Sequence, residues 1–155
     1  MNQTIFDALR ASAAALAHEL DRLPAEAALW PPAEGEWSQQ QCLTHLHICE
    51  HHIFLPRIQA IATQDNPMLA LVDEPALMQQ EFDPQRPRAE LLAEFLAYRE
   101  EELALLSNAD WARPGVHAAR GPITLAWMAD YTWAHTLEHL SQMARVRLSY
   151  ATRRV

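Results

Sequence analysis

The sequence predicts an all-α fold, a four-helix bundle with room for one short extra helix. Three observations carry this expectation. Glycine occurs only 3 times in 155 residues, while Ala, Leu and Glu are abundant, a bias toward strong helix formers. Four long segments repeat their apolar residues at helical spacing, and four amphipathic helices bury their stripes most simply against one another. The 10 prolines fall mostly between those segments, where a missing N–H does least harm. No strand pattern of comparable strength, internal repeat or low-complexity tract is present. The whole chain, residues 1–155, reads as a single domain, of a size that buries roughly 68–70% of its unfolded surface and needs no covalent staples.

The first helix is expected from Thr4 to Leu23. Thr4-x-x-Asp7 resembles a capping box, Ile5, Leu9, Leu16, Leu20 and Leu23 form one stripe, and Pro24 ends it. Residues 24–37, with Pro31-Pro32 and Gly35, form a connection. The second helix opens at Ser38, with Gln41 as its capping partner, and runs past Leu55 and Pro56, where the proline should kink it,. A proline-rich connection over residues 64–87 holds the short extra helix at Pro75–Phe82. The third long helix covers Arg88 to Ser107, with Leu92, Phe95, Leu96, Leu103 and Leu106 on its stripe. After a loop from Trp111 to Pro122, the last helix starts at Thr124 with Ile123 and Met128 as a hydrophobic staple, and reaches Tyr150,.

Composition excludes several functions. The formal net charge is −8 and the longest basic run is Arg153-Arg154, whereas a nucleic-acid binder carries a basic stripe. No apolar stretch approaches the ~20 residues that span a bilayer. The start, Met1-Asn2-Gln3-Thr4, shows no signal-peptide pattern,. With that, the 2 cysteines fit a reducing, cytoplasmic setting better than a disulfide framework,. Cys42 and Cys49 read as small buried hydrophobes.

The 8 histidines separate by helical phase, at roughly 100° per residue. In the last helix Thr124, Leu125, Met128, Thr132, His135, His139, Met143 and Val146 share the inward face. Glu138, Ser141 and Arg145 lie on a polar side. In the second helix Cys42, Leu46, Cys49 and Ile53 define the inward face, with His45 within it or at its edge and His52 a little further round. His47 and His51 point nearly opposite and read as solvent-facing. His135 and His139, one turn apart, have the spacing that lets two imidazoles reach one ion. His45 from the facing helix would make a third donor and leave a coordination position open. The plainer alternative is a set of hydrogen-bonded core histidines without a metal. Trp133, Leu137 and Leu140 form a further apolar strip, suited to tight packing or to a homodimer contact.

Trp37-Ser38, with His45-Leu46 seven residues after the serine, resembles the second helix of the DinB-like (YfiT-like) metalloenzyme family. His135-x-x-x-His139-Leu140-Ser141-Gln142 resembles that family's closing helix, and Gly121-Pro122-Ile123-Thr124-Leu125 fits the entry into it. The likeness covers nearly the whole chain. It implies a four-helix core of the family's own connectivity and a divalent metal, nickel or zinc, bound by His45, His135 and His139. It also implies a small-molecule substrate and either hydrolysis or transfer from a low-molecular-weight thiol.

Three neutral donors leave the ion's charge undiminished, which favours ionising a water or thiol. What fills the fourth position decides between hydrolase and thiol transferase. Glu138 is a candidate general base, although rotated off the axis of the ligands. Gln142 is a candidate to orient a substrate or a ligand. Metal affinity should decline as pH falls through the histidine range. Two alternatives stand beside the enzyme. One is a non-catalytic metal- or ligand-binding stress-response module; the other is a structural ion whose coordination His52 or Cys49 closes.

Overall fold

The expected helix punctuation is largely what the chain uses. The structure, a computed structural model, describes residues 3–153. Helix α1 covers Gln3–Asp21. Thr4 is already helical, and Asp7 accepts from the Gln3 amide at 2.8 Å, so the expected capping box at Thr4 does not form. Helix α2, Gln39–Cys49, opens with the full capping box: Gln41 N–H donates to Ser38 Oγ at 3.3 Å and Ser38 N–H to Gln41 Oε1 at 2.9 Å. Helix α3 covers Leu55–Thr63, α4 Glu74–Glu81, α5 Arg88–Asn108 and α6 Leu125–Thr152. Asp73 caps α4 and Thr124 caps α6 through side-chain oxygens.

Pro56 produces a wider turn. It has no N–H to return to the preceding turn, and its ring would press on the carbonyl four residues back. The helix loosens just before it. Residues Glu50–Phe54 form a π turn in which Leu55 N–H reaches back to the Glu50 carbonyl, and Pro56 then sits in the first turn of α3, where an absent N–H costs least. The rod α2–π–α3 and α1 each pack on α5 and α6, which makes the four-member bundle.

Three short strands qualify the all-α expectation. β1 (Met68–Leu69), β2 (Pro114–His117) and β3 (Gly121–Thr124) form one sheet in that order. β1 runs parallel to β2, with Met68 opposite Val116 and Leu69 opposite His117. β2 and β3 are antiparallel, with His117 opposite Gly121. Strands this short show no readable alternation, and their Pro and Gly residues argue against strand in sequence. The hairpin closes through Arg120 N–H to the His117 carbonyl at 3.1 Å, followed by Gly121 at φ +78°, a left-handed residue that glycine adopts without cost from a Cβ. Arg113 ties this hairpin to the end of α3, donating to the carbonyls of Ile61 at 2.7 Å and of Gln64.

Helix α2 is buried on nearly all sides, with only Gln41 among its residues outside the buried class. That overturns the solvent-facing reading of His47. Its ring is 3% exposed and its Nε2 lies 2.6 Å from Glu94, which also takes Arg86. A helix with a single apolar face would leave His47 in solvent, but α4, α5 and α6 surround this one. His51 is exposed, as expected. On α6, Leu137 and Leu148 are exposed apolar residues.

An unforeseen charged group lies in the core. Arg99 is 1% exposed, and Glu50 and Glu102 are fully buried. Arg99 donates to Glu50, to Thr136 Oγ1 at 3.0 Å and to the Leu9 carbonyl at 3.2 Å, and its Nε lies 3.0 Å from Glu102. Burial, and then the neighbouring Glu50 charge, push the Glu102 carboxyl well above the usual range against the pull of Arg99. The Glu102 carboxyl is therefore the member of the trio held toward its neutral form,. Two links reach the histidines: Glu50 follows Cys49, and Thr136 follows His135.

Candidate metal centre

The π turn and helix α6 bring the candidate donors together. His45 and Cys49 stand one turn apart at the end of α2, while His135 and His139 stand one turn apart on the facing side of α6. Ring centroids are 5.2 Å apart for His45–His135, 4.7 Å for His45–His139 and 4.7 Å for His135–His139. His45 Nε2 and His135 Nε2 are 3.2 Å apart, and Cys49 Sγ is 3.4 Å from His45 Nε2. Donor atoms of His45, Cys49 and His135 all lie within 4.8 Å of one another. His139 lies outside that tighter set but beside it.

These spacings suit a shared ion. Two nitrogens at 2.0–2.1 Å from a tetrahedral centre are roughly 3.3 Å apart, and a nitrogen and a sulfur roughly 3.6 Å. The observed 3.2 and 3.4 Å fall close to those edges. His139 adds a defined tautomer: its Nδ1–H donates to Gln142 Oε1 at 3.0 Å, which leaves Nε2 with a free lone pair. A hydrogen-bond acceptor on the other ring nitrogen is the usual companion of a ligating histidine. His135 Nδ1, by contrast, is buried without a hydrogen-bond partner.

Aromatic walls keep the cluster dry. Trp37 lies 5.1 Å from the His45 ring and stacks on His139 at 6.0 Å, and the Phe54 ring stands edge-on to His135 at 5.0 Å. Burial therefore lowers the His45 pKa to about 4, helped by the charge of His139, and lowers His135 to about 3, helped by its two histidine neighbours and Arg99. Burial lowers His139 too, against the opposing pull of Gln142 and Glu138. Neutral imidazoles are the ligating form. Burial pushes the Cys49 thiol up, with Glu74 and Glu50 adding to the effect, so without a cation it stays protonated.

One face of the cluster opens. A cavity of about 320 Å³ is lined by Cys49, His135 and Glu74 together with Arg57, His117 and Arg120. Glu74, at the start of α4, has its Oε2 3.8 Å from His45 Nε2 and 4.0 Å from Cys49 Sγ. A larger groove of about 460 Å³ between α3 and α5 is lined by Gln59, Glu101 and Leu105 among others and touches none of these groups. Chemistry, not volume, singles out the smaller one.

Of the residues singled out in sequence, His45, His135 and His139 converge. Gln142 holds His139. Glu138 is exposed on α6 and acts on His139 only through its charge. His52 pairs with Glu81 at 2.7 Å, away from the cluster. Cys49 is a buried small residue as expected, yet it also joins the donor group; its i, i+4 spacing from His45 repeats that of His135 and His139. Glu74, Arg57, His117 and Arg120 carried no local signal, since α4, α3 and the hairpin meet at the cavity only in the fold.

The chain belongs to the DinB superfamily, whose family model matches residues 8–143. Among solved structures it is similar to YfiT from Bacillus subtilis, described as a probable metal-dependent hydrolase with an unusual four-helix bundle topology. The TM-score is 0.81 at 19% identity, covering 93% of this chain and 84% of that one. The likeness establishes the bundle fold. No curated protein matches the chain.

Proposed function

We propose that this protein is a divalent-metal-dependent enzyme acting on a small molecule, most simply a hydrolase, as the YfiT likeness suggests. The carrying observation is the pair of Nε2 atoms from His45 and His135, facing each other at 3.2 Å at the wall of a cavity. His45, His135 and His139 would hold the ion, zinc or nickel by donor type, with Cys49 as the adjoining sulfur. Bound there, a divalent ion supplies Lewis acidity and lowers the pKa of a water or a thiol toward neutrality. Glu74 is the carboxylate placed to take the nucleophile's proton, in preference to the exposed Glu138. Gln142 fixes the His139 tautomer, and Trp37 and Phe54 exclude bulk water. A low-molecular-weight thiol is the alternative nucleophile, and Glu74 would serve it in the same way.

Protein purified without a histidine tag should carry about one divalent ion per chain by elemental analysis. It should turn over members of an ester and amide panel, lose that activity to a chelator and regain it with zinc or nickel. A requirement for added thiol would redirect the reading to transfer. Stoichiometric metal without turnover of any panel would favour a binding module. Absence of metal at full occupancy conditions would end the proposal.

A further inference from the structure

The cavity has a second wall that the metal reading leaves unused. We propose that Arg57, His117 and Arg120 form an anion-binding subsite, so that the substrate is a small molecule with one carboxylate or phosphate headgroup. This rests on the proposed function for the word substrate, but not for the binding itself.

Arg57 comes from α3 and is 9% exposed, with one hydrogen bond, from Nη2 to the Ala70 carbonyl at 2.8 Å. Among the described residues no carboxylate comes within ion-pair distance of Arg57 or Arg120. A guanidinium this far from water wants a counter-charge. Arg120, in the hairpin turn, is held over the rings of Tyr131 at 5.0 Å and Trp127 at 5.6 Å, and its Nη2 reaches the Tyr131 hydroxyl at 3.4 Å. His117 Nδ1 accepts from Ala119 N–H at 3.1 Å, so its proton sits on Nε2, as a donor. After burial, the charges of Arg57 and Arg120 are what lower the His117 pKa, consistent with two guanidinium charges crowded beside one neutral imidazole.

A chain with net charge −8 has here gathered two arginines without a carboxylate in ion-pair contact around one small cavity, the Glu74 charge reaching Arg57 only from further off. Planar guanidinium forks suit oxyanions. At about 320 Å³ the cavity lies at the low end of the roughly 300–1,000 Å³ typical of ligand pockets, which favours a headgroup with a few carbons attached. Anchored on the arginines, such a molecule would present its other end to the wall of Cys49, Glu74 and His135.

The test is calorimetric titration of butyrate, butyl phosphate and neutral butyramide into protein stripped of metal and into the zinc-loaded form. Butyrate or butyl phosphate should bind in both forms while butyramide does not, and the tighter of the two names the headgroup. Arg120→Gln should weaken binding about tenfold or more, Arg57→Lys should retain more affinity than Arg57→Gln, and Arg10→Gln, on the distant face of α1, should change nothing. Equal binding of butyramide, or full affinity in folded Arg120→Gln and Arg57→Gln, would overturn the subsite. So would anion binding confined to the zinc-loaded form and indifferent to both arginines. Arginine-dependent binding in a protein that shows no turnover would sustain the subsite and count against the enzyme.

Discussion

His45 and His135, ninety positions apart in sequence, aim their Nε2 atoms at each other across 3.2 Å. Two neutral imidazoles at that distance cannot both present lone pairs without repulsion. Either one carries its proton on Nε2 and donates, or both face a cation. Burial keeps both rings neutral well into acid. In the first case the pair is a core hydrogen bond; in the second it is an edge of a coordination sphere.

The lowered histidine pKa values predict how stability responds to acid. Protonated rings are favoured in the unfolded chain below its ordinary histidine pKa, about 6.5. In the fold His45 resists protonation to about 4 and His135 to about 3. The unfolded state therefore binds more protons in that window, and stability of metal-free protein is full above 6.5 and declines as pH falls toward those values. Urea midpoints measured across the window should fall, and His45→Gln should flatten part of the slope. The same shifts correct the simple expectation for the metal: proton competition begins lower than for exposed histidines, so occupancy should persist below pH about 6.5 before it declines. A midpoint that ignores pH across the window would show that the rings are not buried neutral.

Gln142 should tune the site without being a donor. Removing its carbonyl oxygen by Gln142→Leu leaves His139 Nδ1–H without the acceptor found at 3.0 Å. Loss of such a partner typically weakens metal binding about 10- to 100-fold. Competition against a zinc chelator measures it, with Glu138→Gln as the comparison. If the Gln142 variant matched the parent protein, the hydrogen bond would have no part in ligation.

The buried Arg99 group makes an asymmetric prediction. Arg99→Leu leaves Glu50 and Glu102 without their cation and should destabilise by about 3–5 kcal/mol. Glu102→Gln keeps a neutral group of the same shape beside Glu50 and should cost no more than about 1 kcal/mol, because burial and the Glu50 charge push the Glu102 carboxyl toward its neutral form. Chemical denaturation of the two variants distinguishes them. Equal large losses would mean that both carboxyls are ionised.

The hairpin that carries His117 and Arg120 depends on a close approach at Gly115. A Cβ there would lie 3.0 Å from Ile61 Cγ1. Gly115→Ala should therefore cost about 1–3 kcal/mol through overpacking, and this added cost should shrink in an Ile61→Ala background, which removes the Cγ1 atom itself. Thermal melts of the single and double variants show whether the two losses couple.

The sequence alone determined the helices, because period, caps and prolines are local. Ser38 and Gln41 formed their box, Thr124 began α6, and the phase of that helix put His135 and His139 inward. It also determined the likeness in which His45 joins them. What it could not determine depends on neighbours. His47 was misread because a phase argument cannot tell that α2 is covered on nearly every side. Pro56 is expected to disturb the helix, and the chain meets it with a π turn, leaving Cys49 and Glu50 at the junction between donor cluster and charged core. Glu74, Arg57, His117 and Arg120 gather around the cavity only because α4, α3 and a hairpin too short to show a pattern meet there. The tertiary structure decided the electrostatics for the same reason: desolvation and charge proximity are properties of surroundings, and no residue carries its surroundings in its own name.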